Sequence, residues 1–204
     1  SPSWSPSGEK ILFESKRIFE NKNDYIAGLS LDSYLFSLDI INGIISKLNL
    51  NKQMDSLFYK GVARPTWSPD KNIIGFTSLK KNSHIGISRA IIIYVIIKNE
   101  ILDVFDKDTF RSRIMWSLSG NFIAFESTRG TIDNMDYGID IINIKTKNLN
   151  TIFEEVDSPK LGGWVSDDKI LIAYPQEKYD KNYKLLYELP AKTGFFNPPI
   201  SRNI

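Results

Sequence analysis

The sequence predicts an all-β fold assembled from copies of one four-stranded antiparallel unit, and three observations predict it. The first is a recurring phrase. Trp4, Trp67 and Trp116 each open a run in which an Ile follows seven residues later (Ile11, Ile74, Ile123), a Phe nine later (Phe13, Phe76, Phe125) and a Ser eleven later (Ser15, Ser78, Ser127). A looser fourth copy begins at Trp164, so the starts lie 63, 49 and 48 residues apart. A period of this length marks one supersecondary unit copied in series. The second is that each copy breaks into short β-prone runs separated by turn residues, with no long stretch of helical period. The third is that the run after each Trp phrase is apolar or small on both faces: Ile123 and Phe125 oppose Ala124, Ile11 and Phe13 oppose Leu12, Ile74 and Phe76 oppose Gly75. A strand wetted on one side would alternate with charge, so each sheet is expected between neighbouring sheets.

The third copy shows the elements in order. Residues 113–116 form a short apolar segment ending in Trp116, and Ser117-Leu118-Ser119-Gly120 is a turn. Residues 122–126 are a second apolar run, 128–137 a polar stretch, and 139–144 a third run rich in β-branched residues. A turn at 145–148 leads to a fourth run at 149–153. The first copy repeats the plan with 35–40 and 44–48 flanking Asn42-Gly43, where a tight type I′ turn is expected because both its central residues need positive φ. In the second copy the third and fourth strands are 91–97 and 101–105; in the fourth the third strand is 184–189.

The Trp-Ser-Pro phrase has a mechanical reason. A type I turn favours Ser or Asp at its first position, Pro at its second and Gly at its fourth. Ser5-Pro6-Ser7-Gly8 meets all three preferences, Ser68-Pro69-Asp70-Lys71 lacks the Gly, and Ser117-Leu118-Ser119-Gly120 lacks the Pro. Four-stranded sheets packed face to face in series make a β-propeller, which explains the repeat where a β-sandwich would not. The expected blades are 1–63, 64–112, 113–161 and 162–204 of a single propeller segment.

Composition excludes several functions. The chain has 204 residues, 42% hydrophobic and 25% charged, which suits a packed core. The net charge of +2 and the scattered lysines argue against nucleic acid as a partner. There are no cysteines, hence no disulfides, thiolate metal sites or cysteine nucleophiles. The longest apolar run, 90–97, is far too short to span a bilayer as a helix. The chain opens inside a repeat, which reads as a segment of something longer.

The repeat resembles the WD40-like blade of TolB-type β-propellers, a blade shared with the propeller domains of prolyl-oligopeptidase-like serine peptidases and tricorn-type proteases. The resemblance rests on Trp4, Ser5, Pro6, Gly8, Ile11 and Phe13, on Trp67, Ser68, Pro69, Asp70, Ile74 and Phe76, and on Trp116, Ser117, Gly120, Ile123, Ala124 and Phe125, with Trp164 opening the looser copy. It covers essentially the whole chain and specifies blade type, not task. Such propellers usually carry more blades than the four or so supplied here, so further blades or another chain are expected to complete the ring, a closed four-bladed ring being the alternative. The resemblance also implies a periplasmic or cell-envelope location.

Functional expectations follow. The first repeat carries an insertion at 16–32, with Arg17, Phe19, Asn23 and Tyr25 as the leading candidates for partner contact; the bland reading is a solvated loop. The polar stretches 79–88 and 128–137 are the other candidate loops. His84 is the only histidine and no Gly-X-Ser-X-Gly phrase occurs, so a serine-hydrolase site is not expected within the chain. Asp103, Asp106 and Asp108, then Asp133, Asp136 and Asp140, then Asp157, Asp167 and Asp168 are acidic groups without the spacing of a calcium loop, and read as turn caps rather than metal ligands. The tryptophans read as packing residues, because a ligand site would break the repeat's symmetry. No cofactor is expected. The chain is expected to be a non-catalytic scaffold for a protein or peptide partner; the alternative is the substrate-gating propeller of a prolyl-oligopeptidase-like peptidase whose catalytic domain lies outside it.

Overall fold

In the computed structural model the described residues are 2–16, 25–26, 29–30, 33–82, 86–106, 110–131, 134–155, 159–174 and 185–190. The strands are β1 (Ser3–Trp4), β2 (Lys10–Lys16), β3 (Tyr25–Ile26), β4 (Leu29–Ser30), β5 (Ser33–Asp39) and β6 (Ile45–Lys47), followed by helix α1 (Asn51–Ser56). Then come β7 (Tyr59–Trp67), β8 (Ile73–Asn82), β9 (Gly86–Val95) and β10 (Glu100–Phe105). The rest are β11 (Phe110–Trp116), β12 (Phe122–Thr131), β13 (Asn134–Asn143), β14 (Leu149–Glu155), β15 (Lys160–Ser166), β16 (Lys169–Tyr174) and β17 (Leu185–Pro190). They assemble as sheets β1-β2-β5-β6, β7-β8-β9-β10, β11-β12-β13-β14 and β15-β16-β17, with β3-β4 a separate two-stranded ribbon. Neighbours in each sheet are also neighbours in sequence once the ribbon is set aside, so each sheet is an antiparallel meander. The sheet-by-sheet repetition is that of propeller blades, here part of a β-propeller. In the second, third and fourth sheets the first strand begins several residues before its Trp, as at Tyr59 and Phe110.

The chain divides into two compact units, 1–114 and 115–204. Within the first, Leu12 and Leu35 of the first sheet pack with Trp67, Ile74, Phe76, Ile92 and Tyr94 of the second in one buried core. Register explains the grouping. Trp67, Ile74, Tyr94 and Ile101 lie opposite one another across the second sheet and so share a face. Within the second unit, Ala124, Ile139 and Ile141 pack with Leu161, Ile170 and Ile172 of the last sheet. Trp164 pairs with Ile170, so here too the Trp face of one sheet rests on the non-Trp face of the sheet before it.

The turns show how eroded copies keep one geometry. Gly8 N–H donates to the Ser5 carbonyl and Gly120 N–H to the Ser117 carbonyl, at 2.9 and 3.0 Å. The buried Ser hydroxyls add a side-chain cap: Ser5 Oγ accepts from Lys10 N–H at 3.0 Å and Ser117 Oγ from Phe122 N–H at 3.2 Å. The Ser of the phrase is therefore a buried hydrogen-bonding residue as well as a turn former.

Two expectations are corrected. Asn42-Gly43 is not a two-residue type I′ turn. The Asp39 N–H bonds to the Ile44 carbonyl and only Gly43 has positive φ, so the loop is longer. Asp39 Oδ1 accepts from the N–H groups of Ile41 and Asn42, which satisfies the extra backbone without a tight turn. The stretches 79–88 and 128–137 are largely strand. Leu79 pairs with Arg89 and Asn82 with Gly86, and Thr128 pairs with Tyr137 and Thr131 with Asn134. Polar residues sustain these ladders because backbone pairing does not depend on an apolar face once the core has anchored the hairpin.

Helix α1 has no counterpart in the sequence reading. Leu50 and Met54, four apart, are buried beneath the second sheet, while Gln53 donates to the Asn99 carbonyl at 2.7 Å and accepts from Ile101 N–H at 2.8 Å. Trp67→Ala is expected to cost about 3–5 kcal/mol in denaturant unfolding, the range for deleting a buried aromatic ring. Gly138→Ala is expected to cost about 1–3 kcal/mol, because a Cβ there would lie 2.9 Å from the Phe153 carbonyl oxygen and 2.7 Å from Arg129 Nη1; thermal unfolding followed by circular dichroism measures it.

Candidate functional site

The repeat residues are placed by the sheets. Trp67, Phe76, Trp116 and Phe125 are buried, whereas Pro6, Gly8, Pro69 and Asp70 occupy exposed turns and Gly120 closes the turn after Trp116. Trp164 is half-buried and its Nε1 donates to the Met115 carbonyl at 3.1 Å, tying the last sheet to β11, the first strand of the sheet before it. Trp67 Nε1 is buried without such a partner. Trp4 departs from its counterparts: it is 59% exposed against 8% for Trp67. Phe13, beside it, is half-buried and stacks on Phe36 with ring centroids 5.6 Å apart.

A second inter-sheet tie escaped the sequence reading. Glu14 Oε2 accepts from Arg64 N–H at 2.9 Å and Glu126 Oε1 from Leu161 N–H at 3.0 Å. Both carboxylates stand ten residues after their Trp, and each reaches the first strand of the following sheet. The signal was present as the shared Phe-Glu-Ser of the first and third copies, but nothing in a sequence distinguishes a latch from a solvated Glu.

The insertion at 16–32 holds the ribbon in which Tyr25 pairs with Ser30 and Ile26 with Leu29. Tyr25 therefore lies on an ordered strand; Arg17, Phe19 and Asn23 fall outside the described residues, as does His84. The insertion joins β2 to β5, at the same end of its sheet at which the β8–β9 and β12–β13 hairpins turn in theirs. That end is opposite to the Trp-Ser turns.

The acidic residues are engaged locally. Asp106 accepts from Tyr59 Oη at 2.6 Å and Lys80 Nζ at 2.7 Å. Asp140 is buried against Arg129, which also donates to Thr151 Oγ1 at 2.9 Å. Asp167 accepts from Ser119 N–H at 3.0 Å. Among the described residues no three His, Asp or Glu side chains converge as a metal site would require. Asp108, Asp133 and Asp157 lie outside them.

The described residues of the first unit form a groove and a small cavity. The groove, of about 330 Å³, is lined by Lys10, Leu12, Lys47, Trp67, Tyr94 and Ile96 among others. A cavity of about 10 Å³, room for roughly one water, lies beside Ser33, Ser78 and Arg89. Burial lowers the Arg89 pKa to about 10, with Arg64 adding to the effect and Glu14 opposing it. Because the folded value lies below the unfolded one, burial of the charged Arg89 opposes folding at neutral pH, and that cost is relieved as pH rises through about 10. Relative to Arg89→Met, the unaltered chain should gain about 1 kcal/mol in denaturant stability between about pH 9.5 and 11.

No protein-family model and no curated protein matches the sequence. Solved structures do. The β-propeller domain of the Trilobed protease from Pyrococcus furiosus matches 95% of this chain over 54% of its own, at 20% identity and a TM-score of 0.61. TolB from Acinetobacter baumannii matches 95% of this chain over 43% of its own, at 17% identity and a TM-score of 0.51. Oligogalacturonate lyase from Vibrio parahaemolyticus matches 94% over 49%, at 9% identity and a TM-score of 0.60. The chain thus has the fold of TolB-type and peptidase propellers, and it spans about half the length of these structures. Among the described residues no helix is long and apolar enough to cross a membrane.

Proposed function

We propose that this propeller segment is a non-catalytic scaffold that holds a protein or peptide partner on the β2–β5 insertion and the neighbouring hairpin tips of its own unit. The observation that supports this most is the division of labour within the repeat. The aromatic and aliphatic signature residues are spent on packing sheets together, while the insertion departs from the repeat at a sheet end free of signature turns. Binding surfaces on rigid β scaffolds characteristically use such irregular connections. Among the described residues, Asp106, Asp140 and Asp167 are engaged in local hydrogen bonds and ion pairs. A periplasmic or cell-envelope location is part of the proposal and rests on the likeness to TolB.

The likeness to the Trilobed protease propeller supports a second reading, the substrate-gating propeller of a serine peptidase whose catalytic domain lies outside this chain. An α/β-hydrolase sequence in the full gene would favour it. Replacing residues 17–32 with a two-residue turn is expected to abolish recovery of the partner by the tagged chain from extracts of the native cell, while thermal stability changes by less than about 1 kcal/mol. Unchanged recovery of the same partner would count against the scaffold reading.

A further inference from the structure

The contact between sheets is not filled alike in the two units. In the second, Trp164 stacks on Phe122 of the sheet before it, with ring centroids 6.2 Å apart. Beside Phe122, the paired residues Ala124 and Ile141 close on Leu161, Ile170 and Ile172 in one buried core. Phe122 stands six residues after Trp116, and Ala124 eight. At the same offsets from Trp4 the first sheet has Lys10 and Leu12, and Leu12 pairs with Ser37 where Ala124 pairs with Ile141. A phenyl ring and a branched aliphatic chain are thus replaced by an exposed lysine and a half-buried serine. Both replacements line the groove of about 330 Å³, in whose wall Trp67 occupies the place that Trp164 holds in the second unit. The repeat's symmetry breaks here, and the two sheet faces stand open at this level.

The lining combines an apolar wall with one cation. Leu12, Trp67 and Tyr94 are buried, while Lys10 and Ser46 are exposed, so the groove opens to solvent. Leu12, Ser37 and Ser46 lie in one row across the first sheet, which brings both hydroxyls to the same wall. No Asp or Glu lines the groove among the described residues, and Lys10 makes no ion pair among them. Lys47 lays its ammonium over the Tyr34 ring, 3.7 Å from the centroid, which leaves Lys10 as the groove's cation. The facing wall is fixed in advance: Tyr94 Oη donates to Asn99 Oδ1, and Gln53 of α1 holds the Asn99 carbonyl at 2.7 Å. A concavity of this size, largely apolar with a few convergent polar groups, suits a small organic molecule. It holds about ten times a water's share of liquid volume.

We propose that this groove binds a small aromatic carboxylate. The ring of the ligand lies against Trp67 and Leu12, taking the part that Phe122 plays against Trp164. Its carboxylate meets the Lys10 ammonium in a charge-assisted hydrogen bond and accepts from the Ser37 hydroxyl. A sheet face can serve a ligand here because the Phe-to-Lys and Ile-to-Ser differences have removed the side chains that close it elsewhere. The site goes beyond the partner-binding reading and does not depend on it, since Lys10 opens β2 and the insertion leaves that strand from its other end.

Isothermal titration calorimetry of the 204-residue chain with sodium phenylacetate tests it. The expected dissociation constant is on the order of 0.1–1 mM, as suits a ligand of this size. Phenylacetamide, which has the shape without the charge, and acetate, which has the charge without the ring, should each bind about tenfold more weakly or worse. Lys10→Met alters an exposed residue and should erase the preference for phenylacetate over its amide. Ser37→Ile, which restores the side chain found at the matching place in the third sheet, should fill the groove and weaken phenylacetate about tenfold or more. No binding up to about 10 mM would overturn the proposal. So would an amide that binds as well as the acid, or a Lys10→Met chain that keeps the preference. A Ser37→Ile chain that is folded by circular dichroism and binds like the parent would overturn it too; if that variant does not fold, the Lys10→Met comparison decides.

Discussion

The structure depends on one contact repeated: the Trp-bearing face of a sheet laid on the aliphatic face of the sheet before it. The contact buries aromatic and branched side chains on both sides of a central strand, where each contributes on the order of 1.5–3 kcal/mol. A single four-stranded meander has too little apolar face to be stable alone, so stability is shared between neighbours, as in any repeat architecture. The polar ties follow from that contact rather than create it. Glu14, Glu126 and Trp164 reach backbone groups of an adjacent sheet only because packing has already set the spacing.

This division is the reason the proposed partner-binding surface is placed on the connections rather than on the sheet faces. A residue in a packed sheet face is held by its neighbours and cannot serve a ligand without weakening the repeat. The positions free to vary are the connections, and the insertion between β2 and β5 is the largest departure from the plan within the first unit. Buried Asp140, held by Arg129, occupies a sheet position filled by hydrocarbon in the second copy, where Ile92 stands in its place. A polar group there is tolerated because its hydrogen bonds are closed internally.

Much of the architecture was legible in the sequence because the Trp, Ile and Phe positions recur at fixed offsets with the period-2 alternation of a strand. What the sequence concealed has specific physical causes. Helix α1 is six residues long, too short for a helical period to emerge, and only Leu50 and Met54 mark its buried side. The polar ends of β8, β9, β12 and β13 read as loops because backbone ladders leave no side-chain signature. The exposure of Trp4 was invisible because an identical phrase implies an identical environment, whereas burial depends on what stands next to the sheet. Of the insertion residues, the sequence indicated where the repeat was interrupted; that Tyr25 sits on a paired strand came from the structure.

The αL position in the hairpin loops has a wider consequence. Gly43, Asn99 and Lys147 all adopt positive φ in the turn between the third and fourth strands of their sheets. Gly bears that conformation freely, Asn at small cost, and Lys only because the surrounding bonds compel it. In the Lys147 loop, Asn143 Oδ1 accepts from two successive backbone amides, and the fourth loop residue is swept into place whatever its side chain. Geometry so over-determined shields each copy from selection on individual letters. Related chains can then drift apart in spelling while keeping the same backbone, so kinship in this architecture endures in shape after it has faded from the text.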